Sequence, residues 1–502
     1  SAAAASSSYA PKPPAAPPQQ GALRFPAANA PPPARPPPPL ALSYPYGALT
    51  SYQTAFRTAI HEQLNLSLED LAQRVHQARG QSIQSMRGVG IGYYPQAELI
   101  HTGGGGKGKG GKGGKGGGGR GSGRGRGKGG GSDDDDDDDD DAAKERRLFI
   151  KLDGEREKAS ATAIDDLWLI ARTPDALHQQ PLFARSMWHG IGSNGMLELS
   201  VVQPSPAVPL RSGVKCVALR GPNAADLLAQ LDMLNNLMLP RSPPILHHLL
   251  SPSTSPPMPP LAPTYKNPPD IPSLLAETLA RFRLNPEQEA VLRQVAAWLP
   301  GGASSSSPTA PPVVLVHGVF GAGKSHLLEC VLSFLQRALI GAARNGKPIK
   351  VLLAAMTNVA VDNVLEGLIA RAPEGSDPGV LRVGALRRIS PLVLPHSTHG
   401  KLTNEDEAAT RRELQRELQH CPPAERDSIQ HAIAQIDSGR MRQRAQQIAK
   451  YSIVGATTAA TGLPCLAGLK FDIVLLDESS QLTEPASLLP LARMQCERLL
   501  AV

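Results

Sequence analysis

Nine residues, His317-Gly318-Val319-Phe320-Gly321-Ala322-Gly323-Lys324-Ser325, constrain this chain more than any other stretch. They fit the pattern G-x-x-x-x-G-K-[ST], with Gly318, Gly323, Lys324 and Ser325 at the fixed places. The run before them, Pro312-Val313-Val314-Leu315-Val316, is short and apolar, as a buried strand is. After them Leu327, Leu328, Val331, Leu332 and Leu335 recur at helical spacing. A strand that enters a helix through a glycine-rich loop is the opening unit of a parallel α/β sheet. The glycines, Gly321 included, let backbone N–H groups curl around phosphate oxygens. Lys324 can reach the β- and γ-phosphates, and Ser325 can hold Mg²⁺. The helix dipole adds to the attraction for an anion. The stretch therefore reads as a nucleotide site; a glycine-rich turn that binds nothing is the alternative.

A phosphate loop by itself does not separate kinases, transporters, GTPases and motors. About 150 residues later, the run Phe471-Asp472-Ile473-Val474-Leu475-Leu476 reads as a buried strand that ends in Asp477-Glu478. Phosphate hydrolysis needs a carboxylate to anchor Mg²⁺ and a second to orient and deprotonate water. Asp477 suits the first task and Glu478 the second; a strand-end acidic cap is the plainer reading. Leu284-Asn285-Pro286-Glu287-Gln288 precedes the loop by about thirty residues. Asn285 can cap a helix that opens at Pro286. The amide of Gln288 can both donate to and accept from an adenine edge. In Ala355-Met356-Thr357-Asn358-Val359-Ala360-Val361-Asp362, a strand gives way to a helix near Ala360. Thr357 and Asn358 then offer small polar groups and N–H donors to a strand's phosphate, or simply cap the helix. Val454-Gly455-Ala456-Thr457-Thr458 has the same two readings.

These motifs sit in a region of alternating strands and helices from about residue 274. Strands are predicted at 312–317, 348–355, 379–384, 452–456 and 471–476, and again at 499–502. A charged stretch from Glu405 to Lys450, broken by Pro422-Pro423, reads as a helical hairpin. Its arginines (Arg411, Arg412, Arg416, Arg440, Arg442, Arg444) form either a solvated face or a nucleic-acid contact. Upstream, Arg147–Leu152, Asp166–Ala171, Leu197–Val202 and Val214–Leu219 are short strands of a small barrel or sandwich. Ala224–Leu239 reads as a helix, and Tyr52–Arg79 as one or two amphipathic helices.

Composition divides the chain further. Residues 1–46 are Ala/Pro/Ser-rich, 251–273 Ser/Pro-rich, and 301–308 a Ser-rich spacer. Gly103–Gly131 carries eight Lys or Arg among glycines, and Asp133–Asp141 is an unbroken acidic run. Such tracts lack the apolar surface that offsets chain entropy and are expected to be disordered. The basic tract is either a loose phosphate-binding arm or a flexible insert of biased composition. The expected order is therefore a disordered 1–46, a helical stalk-like segment over 47–101, and a disordered insert over 102–143. A β-rich accessory domain over 144–250, a linker over 251–273 and an α/β domain over 274–502 follow. The net charge of +7, from 52 basic and 45 acidic residues, suits a nucleic-acid partner. The five cysteines are scattered and odd in number, which suits reduced intracellular thiols. No apolar run reaches the length of a membrane-spanning helix, so no membrane partner is expected. The chain opens on Ser1 and is read as part of a longer protein.

Taken in order, Leu284–Gln288, Gly318–Ser325, Thr357–Asp362, Val454–Thr458 and Asp477-Glu478-Ser479-Ser480-Gln481 resemble the motifs of superfamily 1B helicases. The branch includes the regulator-of-nonsense-transcripts RNA helicases, senataxin and the Dna-two type. The wording Thr357-Asn-Val-Ala-Val-Asp362, Leu381-Arg-Val-Gly384 and Thr483-Glu-Pro-Ala-Ser-Leu-Leu-Pro490 is most similar to the GRF-type zinc-finger-containing DNA helicases. The resemblance covers 274–502 strongly and 145–250 more weakly. It implies a RecA-like P-loop NTPase domain, a parallel sheet with helices on both faces and a helical insertion at about 400–450. It implies ATP and Mg²⁺ as cofactors, 5′-to-3′ movement on single-stranded or forked DNA, a role in DNA repair and a nuclear location. An RNA substrate and a non-catalytic nucleic-acid-binding module stay open as alternatives, and protein partners are unspecified. It assigns adenine contact to Gln288 and phosphate or Mg²⁺ contact to Lys324 and Ser325. It gives Mg²⁺ and base roles to Asp477 and Glu478, coupling at the ATP site to Gln481, and strand contacts to Thr357, Asn358 and Thr458. The family's next motif, its second motor domain and a GRF finger do not occur before Val502. The expectation is that residues 1–502 alone bind ATP and turn it over poorly.

Overall fold

The computed structural model describes residues 22–26; 49–102 apart from 79, 83–84 and 87–89; 147–152; 162–251 apart from 188–189, 191–195 and 238–243; 258–302; 310–401 apart from 320 and 374–375; 410–417 apart from 412 and 415–416; and 426–502. The Gly/Lys tract, the acidic run, Cys421, Pro422-Pro423, Arg412 and Arg416 lie outside these residues, as do most of 1–46 and the Ser-rich 303–309. The chain falls into two compact units, one holding 67–223 with 23–30, the other 224–502 with 1–22 and 31–66.

The first unit is a closed antiparallel barrel. Its strands are β1 (Gly92–Thr102), β2 (Arg147–Lys151), β3 (Asp166–Ala171), β4 (Leu182–Ser186), β5 (Met196–Gln203) and β6 (Val214–Asn223), in the order β1-β2-β5-β4-β3-β6. Inward residues alternate along each strand, as in Leu148/Ile150, Leu182/Ala184 and Leu197/Leu199, and they close over Trp168. Closure leaves no sheet edge for another chain to pair with. The barrel corrects the sequence reading at one end. Residues 47–101 read as one helical stalk-like segment, with helix over Tyr52–Arg79; the helix α1 runs over Leu49–Gln77, and 92–102 is instead the barrel's longest strand. Pro95 explains why β1 is hard to see. A proline cannot donate to a ladder, and it sits where the register with β6 slips between Tyr94 and Ala97.

In the second unit, a six-stranded sheet is built from β7 (Val313–Leu315), β8 (Val351–Ala355), β9 (Val380–Val383), β10 (Ile453–Thr457), β11 (Ile473–Asp477) and β12 (Arg498–Ala501). The order is β9-β10-β8-β11-β12-β7, and every pairing is parallel. Helix α2 (Ala225–Asp232) precedes the sheet, followed by α3 (Ile271–Phe282), α4 (Pro286–Ala296), α5 (Lys324–Ala338), α6 (Asn358–Ala370), α7 (Arg426–Ile448) and α8 (Glu484–Met494). Val351, Leu353, Ile473 and Leu475 face a core shared with α5 and α6. The alternate residues Leu352, Val474 and Leu476 are buried as well. A strand buried on both faces reads as a continuous apolar run, as these residues do.

Three expectations need correction here. The accessory domain was expected to run to 250, but α2 belongs with the second unit, where it packs against α8. The 251–273 linker is not structureless. Leu261 is buried and its N–H donates to the Trp298 carbonyl at 2.8 Å, and Thr264 bridges to Ala343. Two apolar anchors, Leu261 and Tyr265, fix a Pro-rich segment that composition alone marks as loose. Leu23 and Phe25 are buried within the tract expected to be disordered. No helix among the described residues is long and apolar enough to cross a membrane. Cys216, Cys330, Cys465 and Cys496 are free and buried.

Candidate nucleotide and strand site

The sheet register brings the candidate residues together. Ala355, Thr457 and Asp477, the last residues of β8, β10 and β11, lie in one row across three adjacent parallel strands. The segments that leave this row carry Thr357, Thr458 and Glu478. Ligands of open α/β sheets bind outside the carboxyl ends of the strands for this reason. The Thr458 N–H donates to the Ala355 carbonyl at 2.9 Å, which ties two of these exits together.

The phosphate loop connects β7 to α5. Gly321 and Gly323 have φ values of 80° and 77°, a region that side chains with a Cβ rarely enter. The loop therefore folds back on itself, and the Lys324 Nζ donates to the carbonyls of Gly318 at 2.8 Å and Val319 at 3.1 Å. Ser325 is exposed in the first turn of α5.

Gln288 is placed against this loop. Its side chain completes a capping box: its own N–H donates to Asn285 Oδ1 at 2.8 Å, and its Oε1 accepts from the Asn285 N–H at 3.2 Å. Its Nε2 donates to the carbonyls of Ala322 at 3.2 Å and Gly323 at 3.4 Å. The amide thus ties α4 to the loop with both of its ends.

Asp477 is buried at the end of β11. Burial pushes its carboxyl above the ordinary value, and the neighbouring Glu478 charge pushes the same way. The Glu478 N–H and the Lys324 ammonium oppose them. The Glu478 N–H donates to Asp477 Oδ1 at 2.9 Å. Glu478 itself has φ 52°, a left-handed conformation costly for a residue with a Cβ. That turn takes the chain out of the strand into a 3₁₀ turn over Ser479–Gln481. The Gln481 N–H donates to the Glu478 carbonyl at 2.9 Å, and Gln481 is exposed.

Thr357 caps α6, its Oγ1 accepting from the Ala360 N–H at 3.1 Å. The same hydroxyl donates to Glu478 Oε2 at 3.3 Å. The two readings of Thr357, cap and site residue, are therefore compatible. Asn358 is held from behind: its Oδ1 accepts from Arg382 Nη2 at 2.8 Å.

Arg382 was singled out in the sequence only as part of Leu381-Arg-Val-Gly384, with no role. Its side chain is wholly buried and pairs with Asp362 at 2.6 Å. It also donates to the Val383 carbonyl, and Asp362 accepts from the Ser390 N–H at 2.8 Å. One signal was available in the sequence. Asn358 and Asp362 are four apart, so they share one face of α6. An arginine in the middle of an apolar strand needs such a partner.

The hard-oxygen character of Asp477 and Ser325 fits Mg²⁺, which takes one or two protein oxygens and keeps water for the rest. The loop's lysine and glycines fit a polyphosphate.

An AAA domain family model matches residues 293–447. The chain is 35% identical over 387 residues to mouse 5′-3′ DNA helicase ZGRF1, covering 71% of this chain and 20% of that protein. It is 27% identical over 192 residues to DNA polymerase alpha-associated DNA helicase A of Schizosaccharomyces pombe, covering 36% of this chain and 27% of that protein. It is 25% identical over 225 residues to an uncharacterized ATP-dependent helicase of Methanocaldococcus jannaschii, covering 36% and 32%. The chain thus spans between a fifth and a third of the length of these relatives.

Proposed function

We propose, on the premise that this chain belongs to the superfamily 1 helicases, that residues 274–502 form the ATP-binding, RecA-like lobe of a 5′-to-3′ DNA helicase. In this reading the barrel is the lobe's accessory domain. Lys324 holds the β- and γ-phosphates, exchanging two neutral carbonyl acceptors for anionic oxygens, which bind an ammonium more strongly. Gly318, Gly321 and Gly323 supply the curved backbone. Gln288 meets the adenine edge from its place on α4, beside the loop. Ser325 and Asp477 hold Mg²⁺, which when bound neutralises charge on the phosphate oxygens. Glu478 takes a proton from the attacking water, and Gln481 follows it in the turn toward the strand. Thr357, Asn358 and Thr458 hold phosphates of a single DNA strand. Work in DNA repair and residence in the nucleus belong to this proposal through family likeness.

The observation that carries the reading is the Thr357–Glu478 hydrogen bond at the shared row of strand ends. It links a candidate strand contact directly to the acid at the nucleotide site, which is what a strand-driven ATPase requires. The test is binding of a fluorescent ATP analogue with Mg²⁺, measured with and without a single-stranded DNA oligonucleotide and its RNA counterpart. DNA is expected to tighten nucleotide binding more than RNA does. Nucleotide binding indifferent to either strand would reject the reading.

A further inference from the structure

Residues 22–26 lie in an Ala/Pro/Ser-rich tract. Leu23 and Phe25 are 4% and 2% exposed. Leu23 is gripped by one side chain from the end of β5. Its N–H donates to Gln203 Oε1 at 2.7 Å, and its carbonyl accepts from Gln203 Nε2 at 3.1 Å. A glutamine amide carries one acceptor and one donor in a planar group, so it pairs with a peptide as a neighbouring strand would. Phe25 stacks on His178, with ring centroids 5.1 Å apart and planes 10° from parallel. The His178 Nδ1–H donates to the Pro26 carbonyl at 2.9 Å. Arg24 points away from these anchors to Glu69 at 3.5 Å, its side chain 37% exposed.

Each position thus has a different stringency. Two buried apolar anchors alternate with a half-buried arginine turned toward Glu69. A proline follows; it has no N–H to satisfy, and it biases the residue before it toward an extended backbone. Backbone-directed bonds combined with side-chain pockets are how folded domains read short extended peptides. The pattern Leu-x-aromatic-Pro also recurs in the same tract as Leu42-Ser43-Tyr44-Pro45. A tract of biased composition has no compositional reason to repeat it.

We propose that the barrel carries a peptide-docking groove, built around Gln203 and His178, that recognises Leu-x-aromatic-Pro and is filled in cis by Leu23–Pro26. A partner protein carrying the same four-residue pattern is the kind of ligand that would displace it. Gln203 and His178 carry the backbone bonds and Glu69 adds one ion pair to Arg24, so a few contacts hold the segment against the entropy of ordering it and occupancy is exchangeable.

The test uses the full chain with Leu23→Ala and Phe25→Ala to vacate the groove, and a fluorescein-labelled peptide Gly-Ala-Leu-Arg-Phe-Pro-Ala as probe. The vacated chain is expected to bind the peptide saturably and at least tenfold tighter than the intact chain does. Adding Gln203→Ala should weaken that binding tenfold or more, and a Leu-Ser-Tyr-Pro peptide should compete. A vacated chain that keeps its near-ultraviolet dichroism but binds no peptide would overturn the proposal, as would equal binding by the intact chain. A second form, with a protease site inserted between residues 30 and 40 and then cut, covers the case in which the substitutions unfold the barrel. Excess unlabelled peptide should release the amino-terminal fragment on size exclusion. A fragment that stays bound would show a permanent structural wedge and reject exchange.

Discussion

The hydroxyl of Thr357 donates to the carboxylate of Glu478 at 3.3 Å while it accepts from the Ala360 N–H at 3.1 Å. One oxygen therefore both caps α6 and touches Glu478, the proposed base. Thr357→Val removes both bonds. The loss of the cap should lower stability by about 1 kcal/mol. The greater effect should be on coupling: single-stranded DNA no longer changes the affinity for nucleotide. Thr357→Ser keeps the oxygen and should retain both properties. Nucleotide titrations with and without the strand distinguish the three proteins.

In the proposed function Lys324 is the loop's charged donor to phosphate. Hydrogen bonds to charged groups contribute about 1.5–3 kcal/mol each, so Lys324→Ala should weaken binding of Mg-ATP by roughly 10- to 100-fold. It donates to two loop carbonyls and its charge offsets part of the desolvation of buried Asp477, so without nucleotide the thermal midpoint should fall, though by less than the loss of binding would suggest. A titration with a fluorescent ATP analogue and a melting curve on the same sample check both halves.

Arg382 and Asp362 form a buried pair behind Asn358. Removing one charge leaves the other desolvated and unpaired, which costs about 3–5 kcal/mol. Arg382→Met should show that loss in urea unfolding. Combining it with Asp362→Asn, which still accepts from Ser390, should recover most of the stability. Strand affinity should stay reduced in the double variant, because Asn358 has lost the group that orients it. Stability and binding recovering together would show that Arg382 does not act through Asn358.

Lys350 is buried beside Asp472, and its ammonium donates to the carbonyls of Ala449 and Tyr451. Burial lowers its pKa to about 8, with Asp472 opposing. Between about 8 and the usual 10.5 the folded chain carries fewer protons here than the unfolded chain. Stability contributed by this group therefore rises with pH across that window, by on the order of 2 kcal/mol. Lys350→Met should abolish the rise. Urea midpoints of the two proteins at pH 8 and pH 10 give the comparison.

The raised carboxyl of Asp477 has the opposite slope. The folded chain holds its proton more tightly than the unfolded chain, so stability falls as pH rises from the unfolded pKa through the folded one. Above both values the full cost of a buried charge is present. Asp477→Asn should therefore melt higher than the parent at neutral pH without metal, and should lose the stabilisation that Mg-ATP gives the parent. Melting curves with and without Mg-ATP at pH 5 and pH 7.5 test this.

Although β7, at the sheet's edge, leaves Leu315 exposed, much of the α/β unit was legible in the sequence because strands β8 to β12 are buried on both faces. Such strands read as unbroken apolar runs, and the glycine and lysine spacing of the loop between β7 and α5 follows from what a phosphate cradle needs. The barrel was half legible. Its alternating strands stood out, but Pro95 masked β1, since a proline argues against a strand unless a bulge accommodates it. Leu261 and Leu23 were missed for a related reason. Composition averages over a tract, whereas burial is decided by one or two residues and the surface that meets them.

What the sequence determined by itself was local: the strand–loop–helix at Gly318–Ser325, the caps at Asn285 and Thr357, and the acidic pair at Asp477-Glu478. Each depends on neighbours within a few residues, where backbone geometry fixes the chemistry. The tertiary structure decided which of these meet. The parallel register that aligns Ala355, Thr457 and Asp477 brings Thr357 to Glu478 across 121 positions. The buried Arg382 reaches back to Asn358 only because β9 lies beside β10, against which α6 packs. Pairing between distant strands carries no local signature, so only the folded sheet could place the candidate strand contacts beside the candidate nucleotide site.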